Sequence, residues 1–133
     1  MSFISTYLAG KILNAVLADV PYSSPSTVYV GLHIADPTDS TTVALSNEVV
    51  GNGYSRQVGD FEVVVSGSVT TNSTVITFPV ATPSGYGNVG WASIWDAPTG
   101  GNLLFHYPIN PTWLVPANDQ IQFPIGSLSI QLN

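Results

Sequence analysis

Two histidines, His33 and His106, are the groups in this 133-residue chain best suited to move a proton near neutral pH. Hydrolysis of the serine type would need one of them held by a carboxylate and facing a hydroxyl. Neither lies in a nucleophile-elbow pattern, and serines are so numerous that a pairing carries no information. Both histidines read as strand residues of intermediate polarity. His33 with Asp36 and Asp39 is the one local set of possible metal ligands. Its spacing matches no zinc signature, and Asp-Pro-Thr-Asp lacks the regularly spaced oxygen ligands of a calcium loop, so these aspartates are expected to cap the amides of a turn. Glu48, Asp60, Glu62, Asp96 and Asp119, from which a glycosidase pair would be drawn, mostly adjoin turn residues, the ordinary place for a solvated acid. Gly51-Asn52-Gly53 is followed by neither a helix nor a Walker lysine and is no phosphate loop. The residues thus point to no catalytic group, no cofactor site and no metal site.

Charge narrows the choice further. Lys11 and Arg56 are the only basic residues against eight carboxylates, which removes electrostatic support for nucleic-acid or anionic-membrane binding. Charged residues make up 8% of the chain, where soluble domains carry about 25%. The surface must therefore be built of hydroxyl, amide and apolar side chains, which suits a protein packed against copies of itself or a larger assembly. The lone arginine needs a carboxylate, and Glu48, Asp60 and Glu62 compete for it, either within one chain or across a subunit boundary. The absence of cysteine excludes disulfides, thiolate ligands and thiol nucleophiles. No secretory leader is expected, since the first ten residues lack a basic region and Lys11 and Asn14 interrupt the apolar run; nor does any run approach the roughly 18 apolar residues of a membrane span.

The elements that must position these groups centre on Asn88–Tyr107, NVGWASIWDAPTGGNLLFHY. Two apolar runs flank Asp96-Ala97-Pro98-Thr99-Gly100-Gly101, whose paired glycines are free to take positive φ, and this predicts an antiparallel hairpin at the centre of the core. With period two, Val89, Trp91, Ser93 and Trp95 share one face, and Gly90, Ala92, Ile94 and Asp96 the other. Both faces are apolar or small, so the strand is expected in mid-sheet, with Trp91, Trp95, Leu104, Val30 and Leu32 in the core. Residues 1–20 read as the one helix: over Ser2–Asp19, Ile4, Leu8, Ile12, Ala15 and Val16 recur at helical spacing, Phe3, Tyr7 and Leu17 widen the stripe, Ser2 caps and Pro21 stops it. So broad a stripe predicts cover by the chain's own sheet on one side and by a neighbour on the other. Thr27–Ile34 alternates cleanly, residues 36–47 read as a turn and a long polar loop, and Phe61–Val65, Thr74–Val80, Gln120–Ile125 and Ser127–Leu132 read as strands. Pro108, Pro111 and Pro116 confine Thr112–Val115 to a short or edge strand. The pattern predicts a single domain over 1–133, mainly β: an antiparallel β-sandwich, jelly-roll-like, over 27–133, with one N-terminal α-helix.

The succession TVYVGLHIADPTD, EVVGNGYSRQ, STVITFPVAT, WASIWDAPTGGNLLFHYP and IQFPIGSLSIQL, in that order behind the helix, resembles a family of small structural proteins of tailed bacteriophages, of tail-fibre-like or virion type. V-G-L-H-x-A-D-P-T, E-V-x-G-x-G-Y-x-R-Q and D-A-x-T-G-G-N-L-L carry the resemblance by their order and spacing. It implies a non-enzymatic virion component, assembled in the host cytoplasm, with no cofactor. The partners it implies are copies of itself, as a homotrimer, and the major capsid protein or other virion proteins. The chain lacks the repeats of a long fibre, which turns the expectation toward a capsid cement or decoration protein. A tail-fibre, tail or baseplate adaptor is the alternative. A carbohydrate-binding module, with Trp91, Trp95 or Trp113 stacked on sugar rings, is the third. Phe3, Tyr7, Lys11, Arg56 and Trp113 are the expected contacts to other subunits or partners.

Overall fold

The computed structural model describes residues 2–132. The central hairpin forms as its turn chemistry requires, with β6 (Gly87–Trp95) and β7 (Leu103–Val115) antiparallel across Asp96–Gly101. Gly100 and Gly101 take φ of 60° and 72°. Asp96 closes the turn by accepting from the backbone N–H and side-chain amide of Asn102, at 2.7 and 2.9 Å. On the other side of β6 lies β2 (Val28–His33), then β3 (Gln57–Gly59), while β1 (Phe3–Ile4) flanks β7. The result is a five-stranded antiparallel sheet in the order β1-β7-β6-β2-β3.

Two short antiparallel ribbons form the second layer, β4 (Val69–Thr71) with β9 (Ser129–Gln131) and β5 (Ile76–Thr77) with β8 (Gln122–Phe123). Val30, Leu32, Val89 and Ala92 of the sheet pack against Ile76, Phe78, Ile121, Phe123 and Leu128. Beside them, α1 (Thr6–Leu17) lays Leu8 on Ile94, Leu104 and Ile130. A second helix, α2 (Thr41–Asn47), sets Ala44 against Trp95 and Leu103. The architecture is mainly β, antiparallel and sandwich-like, with an N-terminal helix and a short second one.

Several local expectations change. Phe3–Ile4 is a strand, and the helix begins at Thr6, where the Ser5 hydroxyl accepts from the Leu8 N–H at 3.0 Å. Leu8 is its single buried residue; Leu13, Val16 and Leu17 are exposed. The supposed loop over 36–47 contains α2, capped by Ser40. Thr112–Val115 is no separate strand but the end of β7, which runs through Pro108 and Pro111. Beyond the Phe105–His106 pairing with β1, β7 is an edge, where a missing N–H costs no ladder bond. Of Phe61–Val65 only Phe61 makes a bridge, to Asn72, and Val63 and Val65 stand out in solvent.

Val30, Leu32, Trp95 and Leu104 are buried, but Trp91 is only half-buried. A register shift between Val89 and Trp91 is the cause. Val89 and Ala92 both enter the main core, which strict alternation forbids, and Trp91 is left on the opposite side.

The two ribbons are tied by Asn72, which is fully buried. Its side-chain amide donates to the carbonyls of Thr74 (2.8 Å) and Pro124 (2.9 Å), and its oxygen accepts from the Leu128 N–H at 2.9 Å. Asn72→Ala would strand the buried Leu128 N–H, at a cost of about 1–3 kcal/mol, and remove two further bonds to the carbonyls of the exposed Thr74 and Pro124. Urea unfolding of this variant is expected to show a loss of about 1–3 kcal/mol, and a loss below about 0.5 kcal/mol would contradict that role.

Candidate functional site

The sheet face turned toward α2 gathers most of the residues that could do chemistry. His33 ends β2, and cross-strand pairing puts it beside β6. Its Nδ1 lies 2.8 Å from Asn47 Oδ1 and its Nε2 2.6 Å from Ser93 Oγ. The Asn47 amide nitrogen donates to the Asp36 carbonyl, so its oxygen faces the ring; His33 Nδ1 therefore carries the hydrogen and Nε2 accepts from the Ser93 hydroxyl. Sequence reasoning did not find this serine–histidine–asparagine row, because its members lie on three separate elements.

The row has the order of a nucleophile, base and orienting group, yet it cannot act as one. His33 and Ser93 are 0% and 1% exposed. Ser93 Oγ also accepts the Trp95 indole N–H at 2.6 Å. Over it lies Gly31, where even a methyl carbon would come within 2.8 Å of Ser93 Oγ, 3.0 Å of Glu48 and 3.1 Å of the Tyr54 hydroxyl. A carbonyl substrate has no approach, and the arrangement serves to satisfy buried polar groups.

Arg56 sits next to it and is also buried. Its guanidinium forks onto Glu48, with Nε and Nη2 each 2.8 Å from a carboxylate oxygen. Nη1 donates to the carbonyls of Ala97 (2.9 Å) and Gly100 (2.8 Å) in the hairpin turn, and the plane lies 3.8 Å over the Trp95 ring. Of the carboxylates that competed for it, Glu48 is the partner, within the chain. Arg56 is thus an internal tie, which removes it from the expected contact residues. The Tyr54 hydroxyl donates to Glu48 at 2.6 Å and accepts from the Leu32 N–H at 2.9 Å; burial first, then the Glu48 charge, push its pKa up.

The metal cluster considered from sequence is not assembled, since His33 turns to Asn47 and Ser93 while Asp36 accepts from the Thr38 N–H and Asp39 from His106. No group of three such ligands occurs among the described residues. Asp96 is used in the hairpin turn, and Asp119 accepts from the Gln120 N–H.

At its far end the same face is open. Trp91 forms the wall between two concavities. One, of about 750 Å³, is lined by Asn88, Pro108, Asn110 and Thr112; the other, of about 280 Å³, by Phe3, Asp36, Asp39 and His106. Phe3 stacks on His106 with centroids 5.1 Å apart, and His106 lies 5.5 Å from Trp91. The other expected contacts are scattered. Lys11 is exposed on α1, its ammonium 5.6 Å from the half-buried Tyr7 ring, and Trp113 is exposed beside a separate groove of about 410 Å³.

A family model described as Podophage GP4 fiber I protein gp80 matches residues 3–131. No curated protein matches the chain.

Two expectations follow from the buried face. Burial lowers the His33 pKa from its ordinary 6.5 to about 4, against an opposing pull from the Asn47 hydrogen bond. The unfolded chain takes up this proton first as pH falls, so the stability held above pH 6.5 drains away down to about pH 4, by roughly 3 kcal/mol. His33→Gln should flatten that part of the stability–pH curve, measured by urea unfolding at stepped pH. Arg56→Ala leaves Glu48 without its counter-charge, and a loss of roughly 3–5 kcal/mol in chemical denaturation is expected.

Proposed function

The chain belongs to the Podophage GP4 fiber I protein gp80 family and is a structural component of a phage particle; from that premise we propose that it is a non-enzymatic fibre subunit, assembled with copies of itself on the tail. The family description favours the fibre over the shell, so the capsid cement expectation gives way to what had been its alternative.

The observation that carries self-assembly is the apolar surface of α1. Leu13, Val16 and Leu17 are 58%, 73% and 78% exposed, and Val20, just beyond the helix, is 50% exposed. Contiguous apolar surface of this kind is rare on a free monomer and marks association. Val63 and Val65, at 84% and 94% exposure, extend the apolar surface available. Charged residues make up only 8% of the chain, so a surface between copies is built largely of uncharged side chains. The sealed serine–histidine–asparagine row supports the non-enzymatic part of the reading; His106 is held by Asp39 at an open lobe, but no hydroxyl bonds its ring among the described residues.

Light scattering coupled to size exclusion is expected to give a multiple of the monomer mass, with Leu13→Glu/Leu17→Glu returning the protein to monomer while its circular dichroism is unchanged. A wild-type monomer at high concentration would refute self-assembly. Antibody labelling of intact particles is expected at the tail; label on the shell would restore the decoration reading.

A further inference from the structure

We propose that the cleft around Trp91 is a binding site for a neutral oligosaccharide. It is independent of where on the particle the chain sits.

The groove supplies an indole and uncharged polar groups in one place. Trp91 is half-buried and held by Phe3 and His106, with ring centroids at 6.3 and 5.5 Å, so its position is fixed before any ligand arrives. Beside it stand exposed Asn88, Asn110 and Thr112, two amides and a hydroxyl. A pyranose ring presents the complement: an apolar C–H face for the indole and a rim of hydroxyls that both donate and accept. The volume of about 750 Å³ suits a ligand of a few rings.

The second lobe sharpens the choice of ligand. Asp36 and Asp39 line it, each with one carboxylate oxygen engaged, by the Thr38 N–H and by His106 Nε2 at 2.8 Å. Because an ionised carboxylate can only accept, His106 Nε2 donates there. Its Nδ1, closed to solvent, is the one buried side-chain polar atom without a hydrogen-bond partner among the described residues. Carboxylates favour sugar hydroxyls as donors and repel uronic, sialic or phosphorylated sugars. No basic residue lines either lobe: Arg56 is bound to Glu48 and the turn, and Lys11 lies on α1 over Tyr7. Trp113 is the more exposed tryptophan, but among the described residues it has no ring partner to hold it and no carboxylate in its groove.

Gly90 provides a way to close the site without removing Trp91. A side-chain carbon there would meet only Thr112, at 3.6 and 3.9 Å, and would grow into the groove. The test is an array of neutral tri- and tetrasaccharides of glucose, galactose, mannose and N-acetylglucosamine, with sialylated and uronic-acid glycans as controls, followed by titration of the best ligand. The full chain is expected to bind neutral members and none of the acidic ones. Affinity should fall at least tenfold in Trp91→Ala and in Gly90→Leu, severalfold in Asn88→Ala, and less than twofold in Trp113→Ala. Should Trp91→Ala fail to fold, Gly90→Leu and Asn88→Ala decide. The proposal is overturned by an array with no neutral binder, by preference for acidic glycans, or by binding that survives Gly90→Leu and is lost in Trp113→Ala.

Discussion

A single guanidinium fixes how the elements of this fold meet. Arg56 comes from the segment leading into β3, its carboxylate partner Glu48 follows α2, the carbonyls it holds belong to the turn of the central hairpin, and the ring beneath it is Trp95 of β6. Two stretches of the chain distant in sequence, 48–56 and 95–100, converge on one planar group whose fork matches a carboxylate and whose faces suit an aromatic ring. A buried pair of this kind adds little net stability over an apolar replacement, because both charges must be desolvated. What it does here is specify one arrangement. Glu48 also receives the Tyr54 hydroxyl, which in turn takes the Leu32 N–H, so the same charge sets the height of the layer over β2. Gly31 is the position where that layer comes too close for any side chain.

That constraint explains why the histidine and serine beneath it are inert. A catalytic serine must be reachable and its oxygen free to attack; Ser93 is sealed under Glu48 and Tyr54 and spends its hydroxyl on His33 and its lone pair on Trp95. The same side chains at the edge of a cleft would be read as a nucleophile and its base. Chemistry follows from access as much as from residue identity.

Much of the architecture was legible because local signals agreed. The paired glycines after Asp96 and the alternation of Thr27–Ile34 each demanded one structure, and Val30, Leu32, Trp95 and Leu104 are in the interior; the broad stripe over Ser2–Asp19 placed a helix but neither its start at Thr6 nor the exposure of Leu13, Val16 and Leu17. The failures have particular causes. In α2, Thr41-Thr42-Val43 are poor helix formers, and the Ser40 cap, the burial of Ala44 and the tertiary bonds of Thr41 and Asn47 hold seven residues in a helix. β7 continues through two prolines because its outer side is unpaired there, a fact of sheet order that no local window contains. Trp91 left the core because a one-residue shift after Val89 broke the parity on which its placement depended. Its neighbours Phe3, Asp39 and His106 come from β1, the segment before α2, and β7, so the cleft they build had no signature in the sequence.

The geometry also keeps the two proposed surfaces from competing. The backbone N–H of Thr6, the first residue of α1, donates to the Asp39 carbonyl, so the helix begins beside the Trp91 cleft and runs away from it. At 1.5 Å per residue, Leu17 is carried about 16 Å from that end, and the exposed Leu13, Val16 and Leu17 lie in the distant half. In the proposed assembly, packing copies through the far half of α1 would cover its exposed apolar side chains and would leave the tryptophan, its amides and its carboxylates uncovered. A fibre subunit needs that separation: the contacts that build the particle must be satisfied permanently, and those that meet a ligand must stay free until one arrives.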